Sequence, residues 1–335
     1  MIYVARRLLA SVVTLFLASF FVFFAVQALP GDVAEQLLGQ NATPEAVATL
    51  RAQLGLDQSV WVRYFDWLSS AVHGDLGTSL VSGESVAETL STAFGHTLLI
   101  AIPAMIIGVT ISVLLGVWAA ARRGTKVDNT VSVLTLITMS IPEFVVATVL
   151  IIVFAIVIPI FPAVVLQGPS ATFSDLLPAL WLPIVTLVIS MVAYIIRSTR
   201  SSTIDGLTTE YATAAELKGV KRRVVLFKHV LPTAMLPVLP VISINVAWLL
   251  GGVVVTETVF NYPGLGKLMI DSVSTRDLPV LQAIALLSAC VYVLVNLAAD
   301  LLALLLDPRQ RTSRRRSSRP RPKPALEAKT SEVPT

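Results

Sequence analysis

Residues 97–121 read TLLIAIPAMIIGVTISVLLGVWAAA, without one charged side chain. A helix crosses bilayer hydrocarbon with about 20 mostly apolar residues, so this stretch is long enough to span. It lies in a charge-free interval from Glu88 to Arg122. Five more intervals appear by the same measure. They are residues 8–31, the stretch from Asp128 to about residue 158 interrupted by Glu143, and the stretch from Asp175 to Arg197. Residues 235–256 follow, then the stretch from Asp277 to Asp307 with Asp300 inside it. The expected fold is all-α, a polytopic membrane protein with six transmembrane helices.

Composition points the same way. Of 335 residues, 55% are apolar and 14% charged, against about 25% charged in an ordinary soluble domain. Mean hydropathy is +0.79. So many apolar residues do not fit inside a water-soluble core, which excludes a disordered chain, a secreted disulfide scaffold and almost any cytosolic enzyme. Cys290 is the single cysteine, and His73, His96 and His229 are far apart in sequence, so no metal site is expected. Orientation follows from Lys and Arg. With the amino terminus in the cytoplasm, 21 of the 25 basic residues lie inside, and only Arg51, Arg63, Lys267 and Arg276 lie outside. Both termini are therefore placed in the cytoplasm. Arg6-Arg7, the apolar run and Val26-Gln27-Ala28 also resemble a secretory signal. The run of about twenty residues exceeds the usual 7–15, so residues 1–31 are read as a retained first helix.

Residues 32–94 form an extracytoplasmic helical segment, with eight acidic and two basic side chains between Asp32 and Glu88. Thr43 caps a first short helix, Pro44 occupies its first position, and Val47, Leu50 and Leu54 share a face that Gly55 ends. Trp61, Tyr64, Phe65 and Leu68 form an apolar-aromatic stripe on a second. That stripe suits the headgroup boundary and equally a small lid packed on neighbouring helices. His73-Gly74-Asp75-Leu76-Gly77 reads as a tight turn with a structural histidine.

Residues 95–306 make a five-helix core that contains the long cytoplasmic loop 198–233. Within it, Glu210-Tyr211-Ala212-Thr213-Ala214-Ala215-Glu216-Leu217-Lys218 favours helix and Gly219 ends it. A basic helix over 220–230 follows, and Leu231-Pro232 leads into the fifth span. Small residues at the centre of a short helix let another backbone approach closely, as docking requires. An interfacial helix whose Lys221, Arg222, Arg223 and Lys228 meet anionic lipid fits equally. Residues 307–335, rich in Arg, Ser and Pro, read as a disordered basic cytoplasmic tail near the acidic inner leaflet, with no nucleic acid as partner.

No GxxxxGK[ST], HExxH or GxSxG occurs. Gly264-Leu265-Gly266-Lys267 comes nearest to a phosphate loop but lacks the upstream glycine and the hydroxyl residue. A self-contained ATPase, protease or lipase is thus unsupported. Ionisable residues within spans are costly and functional by default, and two qualify. Glu143 follows Ser140-Ile141-Pro142, where the proline frees a carbonyl and opens the helix locally, so it faces either a water-filled path or a helix partner. Asp300 lies near the cytoplasmic end of the sixth span, within reach of a loop arginine. Two scattered carboxylates make a poor proton relay, so energy for uphill transport should come from another chain.

At this point the chain resembles the integral-membrane permeases of binding-protein-dependent ABC importers, in particular the dipeptide/oligopeptide/nickel group. That superfamily's loop pattern is Glu-Ala-Ala, three residues, Gly, nine residues, Ile-x-Leu-Pro. Here Thr213-Ala214-Ala215, Gly219 and His229-Val230-Leu231-Pro232 occupy it, with Thr213 in place of the glutamate and His229 in place of the isoleucine. Leu29-Pro30-Gly31-Asp32, Leu54-Gly55-Leu56-Asp57, Arg197-Ser198-Thr199-Arg200, Thr256-Glu257-Thr258-Val259-Phe260 and Pro263-Gly264-Leu265-Gly266 extend the likeness over roughly residues 1–311.

The resemblance implies an ABC type I importer-like permease with no catalysis and no cofactor of its own, in the bacterial inner membrane. Its implied partners are a second homologous permease, two ATPase subunits carrying ATP and Mg, and an extracytoplasmic solute-binding protein. It implies ATPase docking by a loop helix of about residues 210–224, through Tyr211, Ala214, Ala215, Leu217, Lys218, Gly219, Leu231 and Pro232. Glu257, Pro263, Gly264 and Gly266 become candidates for an outside loop or gate, and Glu143 for the pathway. Twelve acidic against four basic side chains on the outer face would orient the donor or simply be solvated. The solute expected is a di- or oligopeptide. The alternatives are nickel or another solute of the same family, or a stand-alone ion-coupled carrier.

Overall fold

The computed structural model describes residues 2–28, 35, 38, 42–53, 55, 57–166, 172–251 and 253–306. The expectations for Gly31, Asp32, Leu54 and the tail 307–335 lie outside the described residues. Twelve helices carry labels here. They are α1 (Ile2–Gln27), α2 (Pro44–Gln53), α3 (Val60–Val72), α4 (Val86–Ala121), α5 (Lys126–Ser140) and α6 (Glu143–Ile151). After them come α7 (Trp181–Leu207), α8 (Glu210–Leu217), α9 (Val238–Leu250), α10 (Val254–Val259), α11 (Leu265–Thr275) and α12 (Leu278–Leu306). No strand occurs among the described residues.

Five helical stretches are long and apolar enough to span, and α5 with α6 forms a sixth that bends by 98°. The bend has a local cause. Ile141 precedes Pro142 and takes extended backbone angles (φ −93°, ψ 122°), because a proline ring disfavours the helical region for the residue before it. The helix restarts on Glu143. The Ser140-Ile141-Pro142 reading of an opened helix therefore holds.

α4 and α7 pack closest of all. On α4, Ala101, Ala104, Gly108, Ser112, Gly116 and Ala120 recur every three or four residues and all are buried. Such a stripe lets two backbones approach where lipid offers no hydrophobic drive between helices. Ser112 Oγ donates to its own Gly108 carbonyl at 2.6 Å and lies 3.2 Å from the Val192 carbonyl on α7. A side-chain carbon on Gly108 would stand 2.8 Å from Met191 Sδ, and one on Gly116 2.7 Å from Thr199 Cβ. These contacts advance together along both helices, so α4 and α7 run parallel. The 59 residues between them (122–180) must therefore return across the bundle, and the bent pair makes that crossing. Six crossings result.

The remaining helices alternate. Ser243 on α9 donates to Asn296 Oδ1 at 2.8 Å, and Ser288 donates to the Gly251 carbonyl at 2.9 Å, which sets α9 antiparallel to α12. Arg7 on α1 lies 2.7 Å from Asp300 on α12. Asp300 thus does pair with an arginine, one on the first helix rather than in a loop, and residues 7 and 300 share an end of the bundle. α1 is also tied at its other end. Tyr64 of α3 is buried, its hydroxyl 3.0 Å from Ser19 Oγ and its ring against Phe16, Phe20, Phe23 and Phe24. Of the aromatic stripe, Tyr64 is buried against the neighbouring helix and Trp61, though exposed, also meets its Phe20 and Phe24, so the packed reading describes both, while Phe65 is exposed. His73 Nδ1 lies 2.7 Å from the Ser69 carbonyl and closes α3.

Gly116→Leu should force α4 from α7 and lower the stability of the purified protein by about 3 kcal/mol or more, against a loss near 1 kcal/mol for the surface control Leu114→Ala. Thermal unfolding in detergent measures both.

Candidate functional site

A cleft of about 570 Å³ opens where the third span breaks. Ser140, Pro142 and Glu143 form one wall, Ile189, Ser190 and Tyr194 of α7 a second, and Ile244, Asn245 and Trp248 of α9 a third. Tyr194, Ile244 and Trp248 are 46%, 54% and 41% exposed, so the cleft is bare on one side. Glu143 sits on this wall in the first turn of α6, where the amides of the helix start favour a carboxylate. Its Oε1 accepts the hydroxyl of Thr256 on α10. Of the two readings for Glu143, the helix partner is seen in Thr256, and the carboxyl also borders the cleft.

Thr256 and Glu257 are consecutive and turn opposite ways. Glu257 is completely buried. Thr97 Oγ of α4 donates to its Oε1 at 2.6 Å, and the amides of Gly266 and Lys267 at the start of α11 donate to Oε2 at 2.6 and 3.1 Å. Thr97 also accepts the Leu265 amide at 2.8 Å. One carboxylate therefore caps α11 and ties it to α4, a charge held by oriented dipoles rather than by a cation. Gly264 and Gly266 are glycines for want of room: an added carbon would stand 2.2 Å from Glu257 Oε1 at 264 and 2.6 Å from the Val254 backbone at 266. His96 Nδ1 donates to the Pro263 carbonyl at 3.0 Å, and the Tyr262 hydroxyl donates to the His96 carbonyl at 2.8 Å. Burial and the Glu257 charge push the Tyr262 phenol well above its ordinary pKa, which keeps it a donor. The amide of Val165 completes the block by donating to the Phe260 carbonyl at 2.9 Å.

The structure thus brings Glu257, Pro263, Gly264 and Gly266 together in one packed, hydrogen-bonded brace. Asp277 is buried as well, accepting Ser79 Oγ and the Leu80 amide. Two of the twelve outer acidic residues are therefore spent on internal bonds and do not face a donor, a correction that a count of charges cannot make.

At the other end of the bundle, α8 projects from α7. It stops at Leu217. The amide of Gly219 donates to the Glu216 carbonyl at 2.9 Å and that of Val220 to the Ala215 carbonyl at 3.1 Å. Gly219 holds φ at +80°, a left-handed angle that only glycine takes without strain. The helix is thus shorter than the 210–224 expected. Over 220–230 the chain forms only a short helix, Arg222–Val224, and then a wide π turn, Val225–Val230, ahead of Pro232, whose ring excludes regular helix bonding to residue 228. Ala212 is buried, and Ala215 packs half-buried with Val225, Val230 and Ala234. Ala214, Leu217 and Lys218 face out, Leu217 at 85% exposure. Tyr211 reaches Thr233 Oγ at 3.0 Å, next to Leu231-Pro232. The site residues therefore divide between two ends of the molecule, with Glu143 between them. Reasoning from sequence missed Thr97, His96, Thr256 and Ala212. Only the adjacency of Thr256 and Glu257 could have signalled one of them.

Glu257→Ala leaves three donors without their acceptor and should cost about 3 kcal/mol or more, whereas Glu257→Gln keeps an oxygen for the amides and should lose less. Thermal unfolding of both variants in detergent checks the order.

Two family models cover most of the chain: the binding-protein-dependent transport system inner membrane component at residues 112–312, and the N-terminal part of such membrane components at residues 1–101. The chain is 37% identical to the "Probable peptide ABC transporter permease protein y4tP" of Sinorhizobium fredii, over 92% of this chain and 99% of that one. It is 38% identical to the glutathione transport system permease protein GsiC of Escherichia coli, over 91% and 97%. In fold it is similar to a chain of the MetNI methionine ABC transporter in an inward-facing conformation, with a TM-score of 0.51 and 20% identity, over 65% of this chain and 96% of that one. On sequence and fold together, the chain belongs to the family of binding-protein-dependent transport system inner membrane components, as a multi-pass permease of the bacterial inner membrane.

Proposed function

We propose that this ABC-importer permease encloses, with a second homologous permease, a path for di- or oligopeptides or a similar small solute brought by an extracytoplasmic binding protein. The observation that carries the reading is the cleft at the broken third span, walled on three sides and bare on the fourth. A solute path needs a polar lining continuous with water, and a second permease set against Tyr194, Ile244 and Trp248 would close it. The relatives' names, a peptide permease and a glutathione permease, favour a peptide-like solute.

The sequence carries no GxxxxGK[ST] motif, so two ATPase subunits carrying ATP and Mg supply the energy. The contact that passes it on is α8. The exposed Leu217, Tyr211 and Ala214 make a small apolar face, and the turn at Gly219 sets its edge, in the manner of a helix laid into a partner's groove. Closing of the ATPases on ATP would draw the two α8 helices together and open the cleft outward. Hydrolysis would reset it. Helix direction places α8 at the same end as Arg7 and Asp300. The loops at that end hold most of the lysines and arginines, which supports reading it as the cytoplasmic end, with both termini inside.

Leu217→Asp should leave insertion and thermal stability unchanged, since the side chain touches nothing that it supports. It should lower both ATPase co-purification and ATP-driven uptake in vesicles by about tenfold or more, the effect of losing a central apolar anchor. Normal uptake with normal co-purification would remove α8 from the docking role.

A further inference from the structure

Among the described residues thirteen line the cleft, and Glu143 is the single one of them that carries a formal charge. The other polar groups are neutral, among them Thr138, Ser140, Ser190 and Asn245, and these thirteen include no lysine or arginine. Tyr194 and Trp248 are partly exposed on the same walls, and aromatic faces attract cations and repel anions. The Thr256 hydroxyl engages Oε1 of the carboxylate. That bond holds the side chain in place without neutralising it.

From these observations we infer that the cleft is a cation-preferring site in which Glu143 receives the ammonium end of a solute, the amino terminus of a peptide or another amine, and turns away solutes whose leading group is anionic. The inference rests on the cleft being the solute path. A lone carboxylate in a low-dielectric wall acts strongly on a charge a few ångströms away: at an effective dielectric constant of about 40 and a distance of ~6 Å, one unit charge alters local concentration by about tenfold.

The test reads the potential of the cleft directly and needs no known solute. Ser190→Cys, a nearly isosteric change on the cleft wall, is made in a Cys290→Ser background and assembled in membranes with the complete transporter. The thiol is then reacted with two methanethiosulfonates of similar size, one bearing a trimethylammonium group and one a sulfonate. Rates are divided by those of each reagent with free 2-mercaptoethanol. The cationic reagent should be favoured by about tenfold or more, and the preference should fall towards unity when Glu143→Gln is added, a change that keeps an oxygen for Thr256. A ratio near one in the parent, or a ratio unaltered by Glu143→Gln, overturns the inference and leaves the path intact. Failure of both reagents to react means that water does not reach the cleft, and overturns the path with it.

Discussion

The close parallel packing of α4 against α7 is the constraint on which the architecture depends. Two helices that run the same way cannot be joined by a short loop, so residues 122–180 must recross the bundle. They do so through a span that breaks at Ile141-Pro142 rather than one that runs straight. The break exposes backbone and polar side chains at membrane depth, which is tolerable only beside protein or a water-filled cavity. The recrossing is thus a consequence of the small-residue stripe on α4, and the break at Ile141-Pro142 decides where the hole lies.

Two carboxylates divide the work around that hole. Glu257 is buried, fully bonded and structural: it joins α4, α10 and the outer helix α11 into one block. Glu143, reached from the neighbouring Thr256, borders open space. Because Thr256 and Glu257 are adjacent on one short helix, the outer block and the wall of the cleft share a mechanical link. The opposite end has a link of its own, since α8 stands on α7 and α7 forms a wall of the cleft. Both ends of the bundle are thereby linked mechanically to the same cleft.

Much of this was legible in the sequence. Charge-free intervals locate the spans because each charge at membrane depth costs several kcal/mol, and the proline at 142 marked the broken one. What was not legible depends on contacts distant in the chain or on helical phase. Glu257 and Thr97 are 160 residues apart, and nothing local says that the carboxylate faces inward. Gly264 and Gly266 resembled loop glycines, yet their reason is the space that Glu257 and the Val254 backbone occupy. On α8 the alanines divide by phase, Ala212 buried, Ala215 half-buried and Ala214 outward, which only the packed turn of 225–230 determines. Asp300 was expected to find an arginine; that it would be Arg7, and so tie the first helix to the last, required the fold.

The most direct measurement is a cryo-electron microscopy map of the whole transporter purified from membranes through this chain. It should show a second permease seated over Tyr194, Ile244 and Trp248, with α8 lying in a groove of an ATPase subunit. A map in which lipid covers those three residues, or in which α8 touches no ATPase, would contradict the account.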